Sequence, residues 1–225
     1  MAKTCDVRLM SNVEYSDRKA LLASAVEEVN QGCYSPRPIH GFLSAAKGKS
    51  VARFVPVFTY LDTAIYFACM QHLDKKLAGA AVTNTFGGWR LGTARRELEE
   101  HEALAIFGGE GCPSMPPSCY NRAAWMKNWQ EYWKILAAKY EHADDSAWFA
   151  MFDIANFYDS VDLPRLETNV RSICADEPFA INVLFHLLAS WNKAQCLYTP
   201  STKGLPMDLV GDGSRLLANF FLSTF

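Results

Sequence analysis

Asp153 is the residue of this chain best placed to do chemistry. It closes the apolar run Trp148-Phe-Ala-Met-Phe152 and is followed by Ile154-Ala-Asn-Phe157-Tyr158-Asp-Ser-Val-Asp162. A short apolar run of this kind predicts a buried strand. A carboxylate at the end of a buried strand is costly unless something pairs with it, and a metal ion is one common solution. The competing reading keeps the strand and lets the Asp cap the next helix. A second group of interest is basic: Lys47-Gly-Lys49, then Arg53-Phe-Val-Pro56. A guanidinium fork suits phosphate oxygens. The bland alternative is a solvated turn with a surface Arg.

The elements that must position these residues follow from periodicity. Ser16 to Asn30 is an amphipathic helix by pattern, with Ser16 or Asp17 as cap, a stripe of Leu21, Leu22, Ala25, Val26 and Val29, and Gly32 as its stop. Tyr34-Ser-Pro-Arg-Pro38 is extended, because each residue before a Pro is pushed out of the helical region. Residues 42 to 58 predict a hairpin with Lys47-Gly-Lys49 at its turn. A helix from about Leu61 to Leu77 is marked by Ile65, Cys69, Leu73 and Leu77, with Asp62 in its first turn. Arg122 to Tyr140 predicts a helix whose Trp125, Trp129 and Trp133 stripe is a buried packing face, in preference to a base-stacking platform. Helices from Leu163, with Asp162 as cap and Pro164 in the first turn, and from Pro178 to Trp191 complete the pattern. Residues 84 to 121 are the least regular, and their glycines lack the lysine and helix start of a phosphate-binding loop. The order helix, hairpin, helix, helix, strand, helix, helix predicts an α+β fold.

The 225 residues are half hydrophobic, enough for one large or two small domains. A net charge of −2 announces no nucleic-acid partner by itself, so any phosphate contact has to come from a local basic patch. The seven Cys are odd in number and form no C-x-x-C, which predicts reduced thiols in a cytoplasmic protein, and the five scattered His predict no zinc site. The first residues are not a signal peptide, and no apolar run reaches the roughly 18 residues of a membrane span.

The segment around Asp153 resembles motif A of reverse transcriptases. Two further segments, in the family's order, resemble its other parts. Tyr34 to Leu77 is similar to the fingers of enzymes related to group II introns. Lys203-Gly-Leu-Pro206, followed by Gly211-Asp-Gly-Ser214-Arg-Leu-Leu-Ala-Asn-Phe-Phe-Leu222, resembles motif B. The resemblance implies an RNA-directed DNA polymerase working by two-metal phosphoryl transfer. It implies that Asp153, joined by the carbonyl of Ile154, binds Mg²⁺ (or Mn²⁺). Arg53, helped by Lys47 and Lys49, would hold the triphosphate, and Tyr158 would lie under the sugar and favour deoxynucleotides. Pro206 and Ser214 would support the template–nucleotide pair. The implied partners are dNTP and an RNA template or DNA product, with room for a non-coding RNA and for self-association, and no membrane. Met207 and Asp208 depart from the family's usual Gln-Gly. The Tyr-x-Asp-Asp hairpin that supplies the second carboxylate is absent from these residues.

The expectation is therefore a fingers-like region over 1–147, with a long helical insert at 84–147, and a partial palm over 148–225. The fold is helix-rich and truncated before the second catalytic palm hairpin. Within the family, the Asp-Ile-Ala-Asn-Phe-Tyr-Asp-Ser segment looks like the abortive-infection and defence-associated bacterial enzymes, which implies antiphage function. By this match the fragment alone is inactive. The alternative is a catalytically inactive relative that binds nucleic acid or a phage protein.

Overall fold

The computed structural model describes residues 15–46, 52–80, 124–144, 147–148, 150–193, 201–207 and 213–225. Among them the order is α1 (Tyr15–Asn30), β1 (Gly41–Ala46), β2 (Ala52–Val57), α2 (Tyr60–Gly79), α3 (Ala124–Glu141), a 3₁₀ turn (Tyr158–Ser160), α4 (Leu163–Ile173), α5 (Pro178–Asn192) and α6 (Gly213–Leu222). This is a helix-rich α+β arrangement with one two-stranded antiparallel sheet among the described residues.

Each helix end has a local cause. Gly32 sits at φ +69° just beyond α1. Its N–H bonds to the Val29 carbonyl and the Cys33 N–H to that of Glu28, the double bond of a glycine-terminated helix. Thr59 caps α2 by accepting from the Asp62 N–H, and Asp162 caps α4 by accepting from the Arg165 N–H at 3.0 Å. Pro178 opens α5, where the missing N–H has no helical partner to lose.

The core is built on α2. Its predicted stripe of Ile65, Cys69, Leu73 and Leu77 is buried, and Tyr66 and Met70 widen it. It packs against α5 and α6, and α4 closes the far side. The buried face of α5 carries Ile181, Leu184, Phe185, Leu188 and Trp191, as the sequence predicts. The apolar cluster thus runs continuously from Ala25 and Tyr34 through α2 to Phe220 and Phe221, joining residues on both sides of position 148.

Three expectations need correction. Of the predicted α1 stripe Ala25 is fully buried, Leu22 and Val29 are half-buried, and Leu21 and Val26 face outward; positions 22, 25 and 29 share one narrow face at 3.6 residues per turn, and 21 and 26 flank it. The Trp stripe of α3 is not a buried face at Trp133, which is 50% exposed. The side chains of Trp125 and Trp129 lie outside the described residues, and among the described residues α3 takes no part in the main helix packing. Finally, residues 148 and 150–152 form no strand, and Trp148, Met151 and Phe152 are 96%, 84% and 91% exposed. A strand exists only through ladder bonds to a neighbour. Here β1 and β2 pair with each other, and no described segment forms a ladder with the run.

Candidate functional site

Asp153 and its neighbours lie on an irregular segment between α3 and the 3₁₀ turn. Asp153 is exposed, and Ile154 is half exposed. Asn156 adopts φ +49°, in the left-handed region. Asn enters this region more readily than other non-glycine residues. That reversal starts a tight turn: the Ser160 N–H bonds to the carbonyls of Asn156 and Phe157, and the Ser160 hydroxyl donates to Asn156 as well. Tyr158 emerges from the turn half-buried, its ring edge-on to Phe157 at 6.1 Å.

The Lys203-Gly-Leu-Pro206 segment closes directly on this turn. The Leu205 N–H donates to the Tyr158 carbonyl at 2.9 Å. Gly204, at φ +63°, approaches so closely that a Cβ there would lie within 3.0 Å of that same carbonyl oxygen and 3.0 Å from the carbonyl carbon of Asp159. Position 204 therefore requires glycine twice, for its backbone angle and for the absence of a side chain. Leu205 and Pro206 are buried beneath it, and Met207 is half-buried. Asp208 lies outside the described residues.

The end of α5 holds this turn from the other side. The Thr202 N–H donates to the Trp191 carbonyl at 2.8 Å. The Asn192 side-chain amide donates to the Gly204 carbonyl at 2.8 Å, the Leu188 carbonyl at 2.9 Å and the Thr202 hydroxyl at 3.2 Å. Trp191 in turn stacks on Phe58 at 4.0 Å, and Phe58 directly follows β2. Tyr66 of α2 also faces the Trp191 ring, at 5.5 Å, while its hydroxyl bonds to Ser214 at the start of α6 at 3.0 Å. Ser214 is buried, and Gly213 beside it lets α6 seat against Tyr66 and Met70.

One hub at the C-terminal end of α5 thus joins the hairpin, the Tyr158 turn, the Pro206 turn and the Ser214 helix. Of the residues singled out from sequence, Tyr158 is reached there directly by Gly204 and Leu205, the two residues before Pro206. Ser214 is tied in through Tyr66, with its hydroxyl facing the protein interior. Arg53 lies in β2 opposite Ala45, and its side chain is outside the described residues. Lys47 and Lys49 are also outside the described residues.

The second knot was not singled out by sequence reasoning. Asp62, completely buried at the start of α2, accepts from the Tyr34 hydroxyl at 2.5 Å and from the Arg37 N–H at 3.0 Å. It fastens the Tyr34-Ser-Pro-Arg-Pro38 strap, which leads into β1, onto the helix N-terminus. Burial and the Asp62 carboxylate both push the Tyr34 phenol well above its ordinary pKa. The available signal was the acid in the first turn together with a Tyr among prolines, but nothing in the sequence pairs positions 34 and 62.

The donor set does not by itself fit a two-metal centre. Such a centre needs carboxylates on both sides of ions about 3.5–4 Å apart. Among the described residues no group of three or more His, Cys, Asp or Glu converges. Asp153 is one accessible carboxylate, with the Ile154 carbonyl adjacent in the chain. No helix among the described residues is long and apolar enough to cross a membrane. No family model matches the chain, and no curated protein matches it.

Proposed function

We propose that this chain forms the fingers and half of the palm of an RNA-directed DNA polymerase of bacterial antiphage defence. The observation that carries the reading is the seating of the Lys203–Pro206 turn on the Tyr158 backbone, through the Leu205 N–H and the bare Cα of Gly204. Two segments that separately resemble adjacent parts of one polymerase site meet through residues 46 and 47 positions apart in the chain.

In this reading the half-exposed Tyr158 ring forms the floor under the nucleotide sugar and excludes a 2′-hydroxyl by contact. Arg53, on a hairpin anchored through Phe58 and Trp191, takes the triphosphate, with Lys47 and Lys49 beside it. Asp153 and the Ile154 carbonyl contribute one side of a Mg²⁺ (or Mn²⁺) centre whose remaining carboxylate this segment does not provide. Bound Mg²⁺ would supply charge to the attacking and leaving oxygens of phosphoryl transfer. An RNA template or DNA product would occupy the same face, and the protein would act in the cytoplasm.

The test is Mg²⁺-dependent dNTP incorporation by the full-length protein. It should be lost in Asp153→Ala while the folded state persists, because Asp153 is exposed and makes no core contact. Undiminished incorporation by that variant would remove Asp153 from the reading. The absence of a converging acidic group among the described residues and the exposed Trp148, Met151 and Phe152 favour a second reading, an inactive relative that binds nucleic acid or a phage protein. That protein would hold RNA with no metal requirement, and Asp153→Ala would leave binding unchanged.

A further inference from the structure

We propose that Asn192 is the positioning residue for the Tyr158 ring, and so for sugar selection; this rests on the polymerase reading above. The Tyr158 ring can discriminate only if its backbone is fixed, since contact with a single hydroxyl group decides the outcome. Two things fix it. One is local, the 3₁₀ turn, whose bond from the Val161 N–H to the Tyr158 carbonyl is long at 3.4 Å. The other is the Leu205 N–H at 2.9 Å, which comes from the Thr202–Pro206 turn.

That turn is held by Asn192. Its Nδ2 faces the Gly204 carbonyl, the Leu188 carbonyl and the Thr202 hydroxyl. Two of these three partners are carbonyl oxygens, which can only accept. The amide must therefore present its NH₂ and not its oxygen, which fixes its orientation on chemical grounds. A carboxylate of the same shape would face two carbonyls with no proton to offer. The path is short and continuous: α5 holds the Gly204 carbonyl, the next residue's N–H holds the Tyr158 carbonyl, and the Tyr158 ring follows. Asn192 lies 34 residues from Tyr158 in sequence and touches no part of its ring in this path.

The experiment compares deoxy- with ribonucleotide kcat/KM in the full-length protein for wild type, Tyr158→Val, Asn192→Ala, Asn192→Asp and the double variant Asn192→Ala/Tyr158→Val. Ile181→Val serves as a control that weakens the buried face of α5 away from the turn. A displacement of about an ångström at a positioned group costs up to roughly 100-fold. Both Asn192 variants should therefore lower the deoxy:ribo ratio by about 10- to 100-fold. The double variant should fall no further than Tyr158→Val, because the two residues act in one path. Hydrogen exchange of the Leu205 amide should accelerate in both Asn192 variants and not in Ile181→Val. A wild-type ratio in the Asn192 variants alongside a reduced ratio in Tyr158→Val would overturn the proposal. So would an equal loss in Ile181→Val, which would reduce Asn192 to general stability, or an unchanged Leu205 exchange rate. Absence of Mg²⁺-dependent incorporation by the wild type would overturn the polymerase reading and the sugar assignment together. It is told apart from failure of the inference alone because the latter leaves Tyr158→Val defective in selection.

Discussion

Gly204→Ala tests the seating of the two turns most directly. Two costs combine. An alanine at φ +63° pays the left-handed penalty of about 1–2 kcal/mol. Its Cβ would also fall within 3.0 Å of the Tyr158 carbonyl oxygen. An ordinary carbon–oxygen approach is about 3.3 Å or more. The obstacle is backbone and not the tip of a flexible side chain, so one of the turns must move. Such overpacking costs about 1–3 kcal/mol, and loss of the Leu205–Tyr158 hydrogen bond adds about 0.5–1.5 kcal/mol. The total is about 2.5–6.5 kcal/mol. Gly32→Ala is the matched control, since Gly32 has nearly the same φ, +69°, with nothing within 4 Å of the added methyl. It should cost only the conformational part, about 1–2 kcal/mol. Urea unfolding followed by tryptophan fluorescence gives both values. Equal losses at the two positions would refute the close approach at 204 and with it the meeting of the two turns.

Other outcomes follow from the same geometry. Asp62→Asn should destabilise by about 1–3 kcal/mol, because the Tyr34 hydroxyl and Arg37 N–H lose a charged acceptor; a wild-type urea midpoint would contradict the knot. The Tyr34 phenol has its pKa raised from 10.0 in the folded state, so its contribution to stability is complete below pH 10 and is lost as pH rises beyond that value. Alkaline titration should show one tyrosine ionising only with unfolding, and Asp62→Asn should bring that step to lower pH. Burial pushes the Cys69 thiol up to about 12 and raises that of Cys174, so a thiol reagent at neutral pH should modify exposed Cys33 in the native protein and reach these two only on unfolding. Rapid native labelling of Cys69 would contradict its burial. Asn156→Val should cost about 1–2 kcal/mol and Asn156→Gly little, since a β-branched residue resists φ +49°; equal stability of the two would deny the reversal that starts the Tyr158 turn.

Much of the helical framework was legible because its signals are local. The 65–69–73–77 and 181–184–185–188–191 patterns state which face is buried, and Asp162, Pro164 and Gly32 mark ends through their own backbone chemistry. The hub was legible only as separate pieces. Gly204 reads as a turn residue, but its need to admit the Tyr158 carbonyl depends on a contact 46 residues away. Asn192 reads as a polar residue at a helix end, and Asp62 as a first-turn acid. Their work consists of bonds to positions that no periodicity connects to them.

The apolar run before Asp153 exposes the opposite limit. Periodicity measures how much a segment gains by burial, not whether a partner exists to bury it. Trp148 and Phe152 stand almost fully open, although burying a large apolar side chain is worth about 1.5–3 kcal/mol. The described residues of the run also leave their backbone donors and acceptors without a ladder. Both deficits would be met by one adjacent strand. In the polymerase reading that strand has a second duty, because it carries the carboxylate that completes the metal centre opposite Asp153. Ladder bonds would draw the run into a sheet, set Trp148 and Phe152 together on one face, and place Asp153 at the strand end beside its partner acid. The strand predicted at 148–152 and the metal site predicted at 153 are therefore one structural event, and a segment that supplies one without the other would not make a palm.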